Sequence, residues 1–310
     1  MPERYEIWEK PDADEIYMLA GWRQWVDGGA TSSGLPRYLI QQTKAKQIGK
    51  LKPDGYYLFQ LPGMQQFLRP MVRHNEGHPE SLHVPRNEYY YSQVGKKGVV
   101  YFRGHEPHMD AERYVQDFLE VAKSFKVRRI VLFGGIYAEI PYDKERYITS
   151  VFSLPSMREE MEAYTVDLSN YQGPGSIGSY LCHRAGEQGI EMVGLYAFCP
   201  IYQFGDLTEF DQAIHIENDY VAWLGIMERV SHMLKLNFDL EDLERKADSL
   251  IEQIKRKVDD LDRKHPELQV QEYMQRLVSG FEERRFNPLD DIWEDELRRL
   301  GDEYFPPEEE

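Results

Sequence analysis

Cysteine and long apolar runs are scarce in this sequence. Only two cysteines, Cys182 and Cys199, occur among the 310 residues. This excludes a small fold held together by disulfides, and we expect both thiols to be reduced and buried. No apolar stretch approaches the roughly 18 residues that a membrane span needs, and the first ten residues are charged rather than signal-like. These absences predict a cytoplasmic protein with no membrane partner.

Signatures of nucleophilic and phosphate-transfer enzymes are also missing. The sequence has no Gly-x-Ser-x-Gly elbow and no P-loop. Residues 173–178 (GPGSIG) do fit the pattern G-x-G-x-x-G. A dinucleotide fingerprint, however, follows the first strand of its fold and has an acidic residue about 20 positions later, and neither condition holds here. We therefore favour a tight loop that lets a helix and a sheet approach closely, and we expect no cofactor.

Negative charge is in excess. The formal net charge is -17 and the isoelectric point is near 5.0, which would repel a phosphate backbone, so we expect no nucleic-acid partner. Residues 237–310 hold 23 acidic and 12 basic residues, a balance of -11, and the first 236 residues therefore carry the remaining -6. This uneven distribution predicts a core domain over residues 1–238 and an acidic helical region over residues 239–310.

Hydrophobic periodicity predicts an α/β body. Short apolar runs typical of core strands occur at residues 15–20, 98–102, 129–133 and 191–198, with weaker ones at 56–61, 147–152 and 164–168. Residues 111–124 show helical periodicity between two of these runs. A strand, helix, strand order with nearly continuous apolar strands predicts parallel pairing through a right-handed crossover. We expect the run at 129–133 to stop at the glycine pair that follows it.

The residues after 238 follow a different pattern. Apolar residues recur near heptad spacing from Leu240 to Leu261, Pro266 interrupts them, and further stripes cover residues 270–281 and 289–300. An isolated helix with this many charges would be marginal in water. We predict that the first two stripes pair as a hairpin that projects from the body. The alternative is that both pack onto the body as covering helices.

Three carboxylates are candidates for acid–base chemistry. Asp27, Glu106 and Glu139 lie just past predicted strands, where open α/β sheets usually place ligands. Carboxylates paired at that edge could act as a general acid and a general base. Carboxylates just before helices more often cap them, and we favour capping for Asp27 and for Asp110.

Five glycines are weak candidates for a ligand cradle. Gly28 and Gly29 follow the first predicted strand, Gly134 and Gly135 follow a later one, and Gly175 lies in the GPGSIG loop. Glycines at strand ends could let a phosphate or a ribose approach backbone amides. The alternative role is close packing of one backbone against another.

Histidines provide a weak metal candidate. His105 and His108 form an H-x-x-H pattern at the end of a predicted strand, with Asp110 nearby. Pro107 prevents the helical geometry of zinc-binding H-E-x-x-H motifs, and no third ligand is placed by spacing. We therefore expect no bound metal. A second group has irregular loop spacing typical of solvent-facing residues, namely His74, His78 and His83.

Six groups of residues, taken in order, resemble the proteasome assembly chaperone family in its prokaryotic branch. They are GW with DGGA (21–22, 27–30), PRNEYY (85–90), RGHEP (103–107), GGIYAEIP (134–141), YQGPGSIG (171–178) and PIY (200–202). The resemblance covers residues 15–261. It implies a three-layer α/β/α core with a mostly parallel sheet, similar to nucleoside phosphorylases, and C-terminal helices appended to it.

The resemblance also implies protein partners, self-association, no cofactor and no established catalytic residues. Some archaeal relatives end in a hydrophobic-Tyr-any tripeptide that docks on the proteasome. Here Tyr304 is followed by Phe305 and a further PPEEE, so we do not expect docking by that mode. The link WRQWVD (22–27) is longer than is usual in the family.

Two functional hypotheses follow from the sequence. The first is a non-catalytic protein-binding or assembly-chaperone-like factor that forms homo-oligomers. The second is a hydrolase or a nucleoside-processing enzyme that uses the carboxyl ends of the strands. A deep apolar pocket into which Asp27, Glu106 and Glu139 all point would favour the enzyme, and a shallow or filled crevice would favour the binding protein.

Overall fold

The computed structural model describes residues 4–60, 69–204 and 213–286. The strands in this part of the chain are β1 (Tyr5–Ile7), β2 (Ile16–Arg23), β3 (Lys46–Leu51), β4 (Met71–Asn75), β5 (His78–His83), β6 (Glu88–Val94), β7 (Lys97–His105), β8 (Val127–Ala138), β9 (Ile148–Phe152), β10 (Asp167–Leu168), β11 (Met192–Gln203) and β12 (Ala213–His215). The α-helices are α1 (Gly34–Gln42), α2 (Ala111–Ser124), α3 (Arg158–Glu162), α4 (Ile177–Glu187), α5 (Tyr220–Leu234), α6 (Glu241–Lys264) and α7 (Val270–Ser279).

A large mixed sheet forms the centre of the molecule. Its strand order is β1-β3-β6-β7-β2-β8-β11-β9-β10, with β12 paired to β11. The four central strands β7, β2, β8 and β11 are mutually parallel, whereas β6, β3 and β1 on one side and β9 on the other pair antiparallel. The predicted parallel pairing is confirmed, with α2 connecting β7 to β8.

Helices cover both faces of this sheet. Along β2, Tyr17 and Leu19 belong to one buried cluster, while Met18 and Trp22 belong to another, because successive side chains of a strand point to opposite faces. The first cluster is completed mainly by α1 and α5, and the second by α2 and α4. The predicted three-layer α/β/α arrangement is therefore confirmed. The likeness to nucleoside phosphorylases stays a prediction.

Three of the predicted strands differ clearly in the structure, and of residues 164–168 only Asp167–Leu168 (β10) form a strand. Residues 52–60 form no strand, and the strand of this region is β3, just before them; Leu61 lies outside the described residues. Tyr56 instead places its ring in the core cluster under α2. β8 does not stop at the glycine pair, because Gly134 and Gly135 continue its parallel ladder opposite Tyr196 and Ala197.

The helices α6 and α7 form the expected pair but do not project from the body. Their side chains Ile254, Val258 and Met274 share a buried cluster with Tyr202 and Ile216 of the body. The expectation of a projecting hairpin is wrong, since the apolar residues at the end of β11 and around β12 need the same cover that the helices need. The third predicted stripe, residues 289–300, lies outside the described residues.

The chain returns to the body after α7. Tyr147 stacks on Phe281 with ring centroids 4.4 Å apart, and its hydroxyl donates to the carbonyl of Glu282. The N–H of Phe286 donates to Glu145, whose carboxylate also accepts from Arg229 at 3.1 Å. Residues 281–286 therefore bind to the body through an aromatic stack, hydrogen bonds to Tyr147 and Glu145, and ion pairs of Glu283 and Arg284.

The structure also describes both cysteines and the length and polarity of the helices. Cys182 and Cys199 are both unbridged and buried, as predicted. No helix in the three described ranges is long and apolar enough to cross a membrane.

Glu228 on α5 makes the stability pH-dependent. Burial, reinforced by the charges of Glu145 and Glu244 and opposed by that of Arg229, raises the pKa of Glu228 to about 7. The folded state therefore binds more protons than the unfolded chain between the usual carboxyl pKa and neutral pH, and the free energy of unfolding falls as pH rises through that window. Screening at this partly exposed site reduces the effect to about 1 kcal/mol.

Glu228→Gln should remove this contribution. In urea unfolding at about pH 5 and about pH 8, the difference between the two free energies should change by about 1 kcal/mol relative to the unsubstituted protein. Glu252→Gln, at an exposed position in the middle of α6, is the control and should change nothing. If Glu228→Gln behaves like the control, the carboxylate is not buried in the folded state.

The division of the chain at residue 238 stays a prediction, and truncation tests it. A chain ending there would lose the cover over Tyr202, Ile214 and Ile216. We expect it to bind a hydrophobic dye and to melt at a lower temperature than the full chain. The control is a chain ending at residue 286, which keeps α6 and α7. A truncated body that melts cooperatively at the full-length temperature would show an independent domain.

Candidate functional site

The three candidate carboxylates follow strands that run in the same direction. Asp27 comes after β2, Glu106 after β7 and Glu139 after β8. The carboxyl ends of parallel strands meet at one edge of a sheet, and this edge is where ligands bind in open α/β folds. The contacts of each carboxylate decide which chemistry this edge can perform.

Asp27 caps the turn that leads into α1. Its Oδ1 atom accepts hydrogen bonds from the backbone N–H groups of Ser32 and Ser33, both at 2.9 Å. Burial raises the pKa of Asp27, and these hydrogen bonds oppose the rise. Asp27 therefore binds backbone amides in the turn before α1, although it makes no side-chain N-cap bond to either helix beside it. Asp110 occupies the N-cap position of α2 without a side-chain capping bond and instead pairs with Arg113 at 3.0 Å.

Glu106 is tied to the first turn of α4. Its Oε1 accepts a hydrogen bond from the backbone N–H of Ile177 at 2.8 Å. Burial raises the pKa of Glu106, while hydrogen bonds from the backbones of Ile177 and Trp25 lower it. The carboxylate thus occupies an amide that an anionic ligand would otherwise use at the helix N-terminus.

Glu139 faces a different part of the molecule. Its side chain is exposed, and it lies against Tyr273 of α7. Burial of Tyr273, together with the adjacent Glu139 carboxylate, raises the pKa of that phenol to about 12. The three carboxylates therefore contact three separate partners and do not form an acid–base pair.

Four of the five candidate glycines serve close packing. A Cβ atom on Gly135 would lie 1.9 Å from the carbonyl oxygen of Gly28, and one on Gly134 would lie 2.2 Å from the ring of Tyr196. Gly29 has φ +57°, and a Cβ there would lie 2.4 Å from Asp219. These positions hold glycine because another part of the protein fills the space that a ligand would need.

Gly175 is the one candidate glycine that has free space where a side chain would be. The nearest atom to a Cβ at this position would be 3.6 Å away, at Ser179. Gly175 and Gly135 both line a pocket described below. The GPGSIG loop ends at Ser176, which is the N-cap of α4 and accepts from the N–H of Ser179 at 3.4 Å. The loop thus leads into a helix as expected, and the predicted close approach of helix and sheet occurs at Gly178, where a Cβ would lie 3.0 Å from the hydroxyl of Tyr196 on β11.

The two candidate metal ligands contact backbone groups. Nδ1 of His105 accepts from the N–H of Arg86 and Nδ1 of His108 from the N–H of Leu58, both at 3.1 Å. Burial lowers the pKa of both histidines. In the described ranges, no group of three or more His, Cys, Asp or Glu side chains could hold a metal ion. A second set lies on an exposed hairpin, namely His74, His78 and His83.

A pocket of 570 Å³ opens among the loops beside these residues. Its apolar and aromatic walls come from Trp25, Ile136, Tyr137, Val151, Tyr171 and Pro174. Its hydroxyl groups come from Thr149, Ser169, Ser176, Ser179 and Tyr196. Asp27, Glu106 and Glu139 are not among the described lining residues. The pocket thus has apolar walls, as the enzyme hypothesis required, but lacks the carboxylates that this hypothesis placed in it.

Sequence reasoning did not identify Tyr196 as a site residue. Its ring lies against the backbone of Gly134, and its hydroxyl would be 3.0 Å from a Cβ on Gly178. The available signal was the run of glycines in neighbouring apolar segments, since such glycines in strands often make room for a large side chain. The periodicity alone shows a tyrosine in a core strand without showing what its hydroxyl faces.

Comparison with known proteins identifies the class to which this α/β/α fold belongs. A model of the PAC2 family matches residues 22–258, and the chain belongs to this family. The resemblance found in the sequence is therefore confirmed. Curated proteins gave no significant match to this sequence.

Solved structures show the same fold. A PAC2 family protein from Streptomyces avermitilis is 22% identical, with a TM-score of 0.67 over 84% of this chain and 99% of that chain. A proteasome-assembly chaperone homologue from Mycobacterium tuberculosis is 20% identical, with a TM-score of 0.66 over 78% and 94% of the two chains. An archaeal proteasome activator from Pyrococcus furiosus is 17% identical, with a TM-score of 0.57 over 82% and 98%.

Replacing Glu106 tests its structural role. Glu106→Ala removes the hydrogen bond to Ile177 and the favourable charge at the N-terminus of α4, so the free energy of unfolding should fall by about 1 to 2 kcal/mol. Urea unfolding measures the change. Glu120→Ala, at an exposed position of α2, is the control, with an expected change below about 0.5 kcal/mol. Equal stability of the two variants would contradict the capping role.

Proposed function

We propose that this protein is a non-catalytic, assembly-chaperone-like factor that acts by binding other proteins. Its membership of the PAC2 family supports the proposal, as do structural neighbours described as a proteasome-assembly chaperone homologue and a proteasome activator. The edge of the sheet where the parallel strands end supports the proposal too. There Asp27 and Glu106 accept hydrogen bonds from backbone amides, and Glu139 lies apart from them. An enzyme acting in the pocket would need acid–base groups there, and its described lining supplies none of the three.

The observation that carries the proposal is the hairpin formed by β4 and β5. These strands pair only with each other in the described structure, and all their residues except Ser81 are exposed. Val72 is 48% exposed and Leu82 is 53% exposed, and because they are direct cross-strand partners they lie on one face of the hairpin. A two-stranded hairpin without a packing partner is marginally stable in water, and clustered exposed apolar side chains mark protein-binding surfaces.

The same surface accounts for the proposed homo-oligomer. Val84, just after β5, adds further exposed apolar area to the hairpin, and a second copy of the chain could cover it in a closed dimer. We propose that the protein works in the cytoplasm with protein partners and without a cofactor. Docking through Tyr304 is not part of the proposal, and that residue lies outside the described residues.

Loss of apolar side chains from the hairpin should weaken partner binding. We expect Val72→Ser with Leu82→Ser to weaken partner binding at least tenfold, or about 1.4 kcal/mol, because both side chains lie on one face of the hairpin and would be buried in the interface. Tagged protein captures partners from native lysate, and purified partners are then titrated. Proteasome subunits are the first candidates. Val278→Ser, at an exposed position of α7, is the control and should bind like the unsubstituted protein.

Light scattering of the same variants separates self-association from other binding. The unsubstituted protein and Val278→Ser should exceed the mass of one chain, 36.6 kDa, at micromolar concentration, and the hairpin variant should not. A monomeric unsubstituted protein would contradict the homo-oligomer. Unchanged capture by the hairpin variant would contradict the assignment of the hairpin as the binding surface.

A further inference from the structure

Three arginines gather where β2 and β7 end and β6 begins. Arg23 is the last residue of β2 and lies opposite His105, the last residue of β7, in the parallel ladder. Arg103 comes two residues before His105 on the same strand. Arg86 lies in the segment between β5 and β6, and its backbone N–H donates to Nδ1 of His105 at 3.1 Å. The three arginines therefore surround one histidine.

The side chains of Arg23 and Arg103 share one face of the sheet. Leu19 of β2 and Tyr101 of β7 both belong to the buried cluster that α1 and α5 complete, and residues separated by an even number of positions along a strand point to the same face. Burial lowers the pKa of His105, and the charges of both arginines lower it further. The imidazole is thus mainly neutral at pH 7, and the positive charge here comes from the arginines.

The guanidinium groups keep their hydrogen-bond donors available. The side chains of Arg86 and Arg103 are 56% and 40% exposed, and each contacts a different oxygen of Glu88, at 3.8 and 3.9 Å. Arg23 is exposed as well. Each guanidinium has five N–H donors, and among the described residues none accepts a hydrogen bond from these three groups.

The local charge is positive although the protein is acidic. Besides Glu88, the Asp27 carboxylate lies near Arg23, which lowers the pKa of Asp27. The Oδ1 atom of Asp27 already accepts two backbone hydrogen bonds. Three guanidinium charges therefore face two carboxylates, in a chain whose formal net charge is -17. This excess of positive charge favours an anionic partner.

Carboxylates fit this cluster better than the phosphates of a nucleic acid. The planar N–H forks of arginine match the two oxygens of a carboxylate. A polyphosphate chain would extend over the surrounding acidic surface and be repelled by it. Because one exposed ion pair contributes little, binding here needs several carboxylates on one segment.

The cluster adjoins the apolar face of the β4–β5 hairpin. Val84 is 38% exposed and lies two residues before Arg86, so their Cα atoms are at most about 7 Å apart. Protein interfaces commonly combine an apolar centre with a polar rim in which arginine is enriched. Charges in such a rim speed association and make it salt-dependent.

We propose that the arginine cluster, defined as Arg23, Arg86 and Arg103, binds the carboxylates of an acidic segment of a partner protein. This inference rests on the proposed function, since it names the chemistry of the partner that the hairpin would bind. The partner thus presents an apolar patch to the hairpin and a run of Asp or Glu to the arginine cluster.

A labelled octaglutamate peptide tests the cluster without requiring the partner. Fluorescence anisotropy with the full chain gives its affinity, alongside octaglutamine as the uncharged probe and an eight-nucleotide oligothymidylate as the phosphate probe. We expect octaglutamate to bind at least about tenfold more tightly than either at low salt. Its affinity should fall as the salt concentration rises from about 20 mM to about 200 mM.

Charge-removing variants locate the binding. Arg23→Gln with Arg86→Gln leaves Arg103 beside Glu88, so the fold should be retained while octaglutamate binds about fivefold to tenfold more weakly. The same two positions changed to Lys keep the charge and should bind with intermediate affinity. Arg256→Gln with Lys257→Gln, at exposed positions of α6, is the control, because it removes the same charge elsewhere, and it should bind like the unsubstituted protein.

Any of three results would overturn the inference. These are octaglutamate that binds no more tightly than octaglutamine, equal affinities of the Arg23/Arg86 variant and the α6 control, or oligothymidylate that binds as tightly as octaglutamate. The hairpin variant Val72→Ser with Leu82→Ser should bind octaglutamate normally, because its arginines are intact. Failed partner capture with normal octaglutamate binding would therefore contradict the proposed function alone, and the reverse outcome would contradict this inference alone.

Discussion

One close contact, between the turn after β2 and the strand β8, shapes the edge of the sheet where the parallel strands end. A Cβ on Gly135 would lie 1.9 Å from the carbonyl oxygen of Gly28, so Gly135 has no room for a side chain, and one on Gly28 would lie 3.0 Å from the backbone of Gly135. The carbonyl of Gly29 accepts hydrogen bonds from the N–H of Asp219 at 2.9 Å and from the indole of Trp223 at 3.0 Å. The turn is thereby held between the sheet and α5, and the residues just before it form one wall of the pocket.

A buried ion pair extends this constraint. Arg146 and Asp219 are both fully buried, with Nε and Oδ2 2.9 Å apart. Arg146 also donates to the backbone carbonyls of Pro141, Tyr142 and Lys144, so the charge is hydrogen-bonded on all sides. Removing one partner of such a pair leaves the other charge buried and typically costs about 3 to 5 kcal/mol. The loop after β8 is thus tied to the start of α5, and acidic residues at this edge stabilise the fold.

The candidate site shows why residue type and position alone do not establish catalysis. Asp27, Glu106 and Glu139 lie where a sequence places catalytic carboxylates, yet their hydrogen bonds and exposure give each a different role. A capping carboxylate and a catalytic one occupy the same place after a strand. What distinguishes them is whether backbone amides or a cavity face the oxygen atoms. Tyr196, which no motif indicated, is among the residues that line the cavity.

The amino-acid sequence by itself determined the parts of this protein that depend on local pattern. The helix over Ala111–Ser124 and the parallel core strands follow from periodicity, and ordered motifs were enough to predict the family. Only the tertiary structure decided which face each element covers. The stripes of α6 and α7 required burial, but periodicity cannot say against what, and β12 and the end of β11 supplied the surface. The pocket depends in the same way on contacts between residues far apart in the chain, such as Trp25, Ser176 and Tyr196, which no local pattern records.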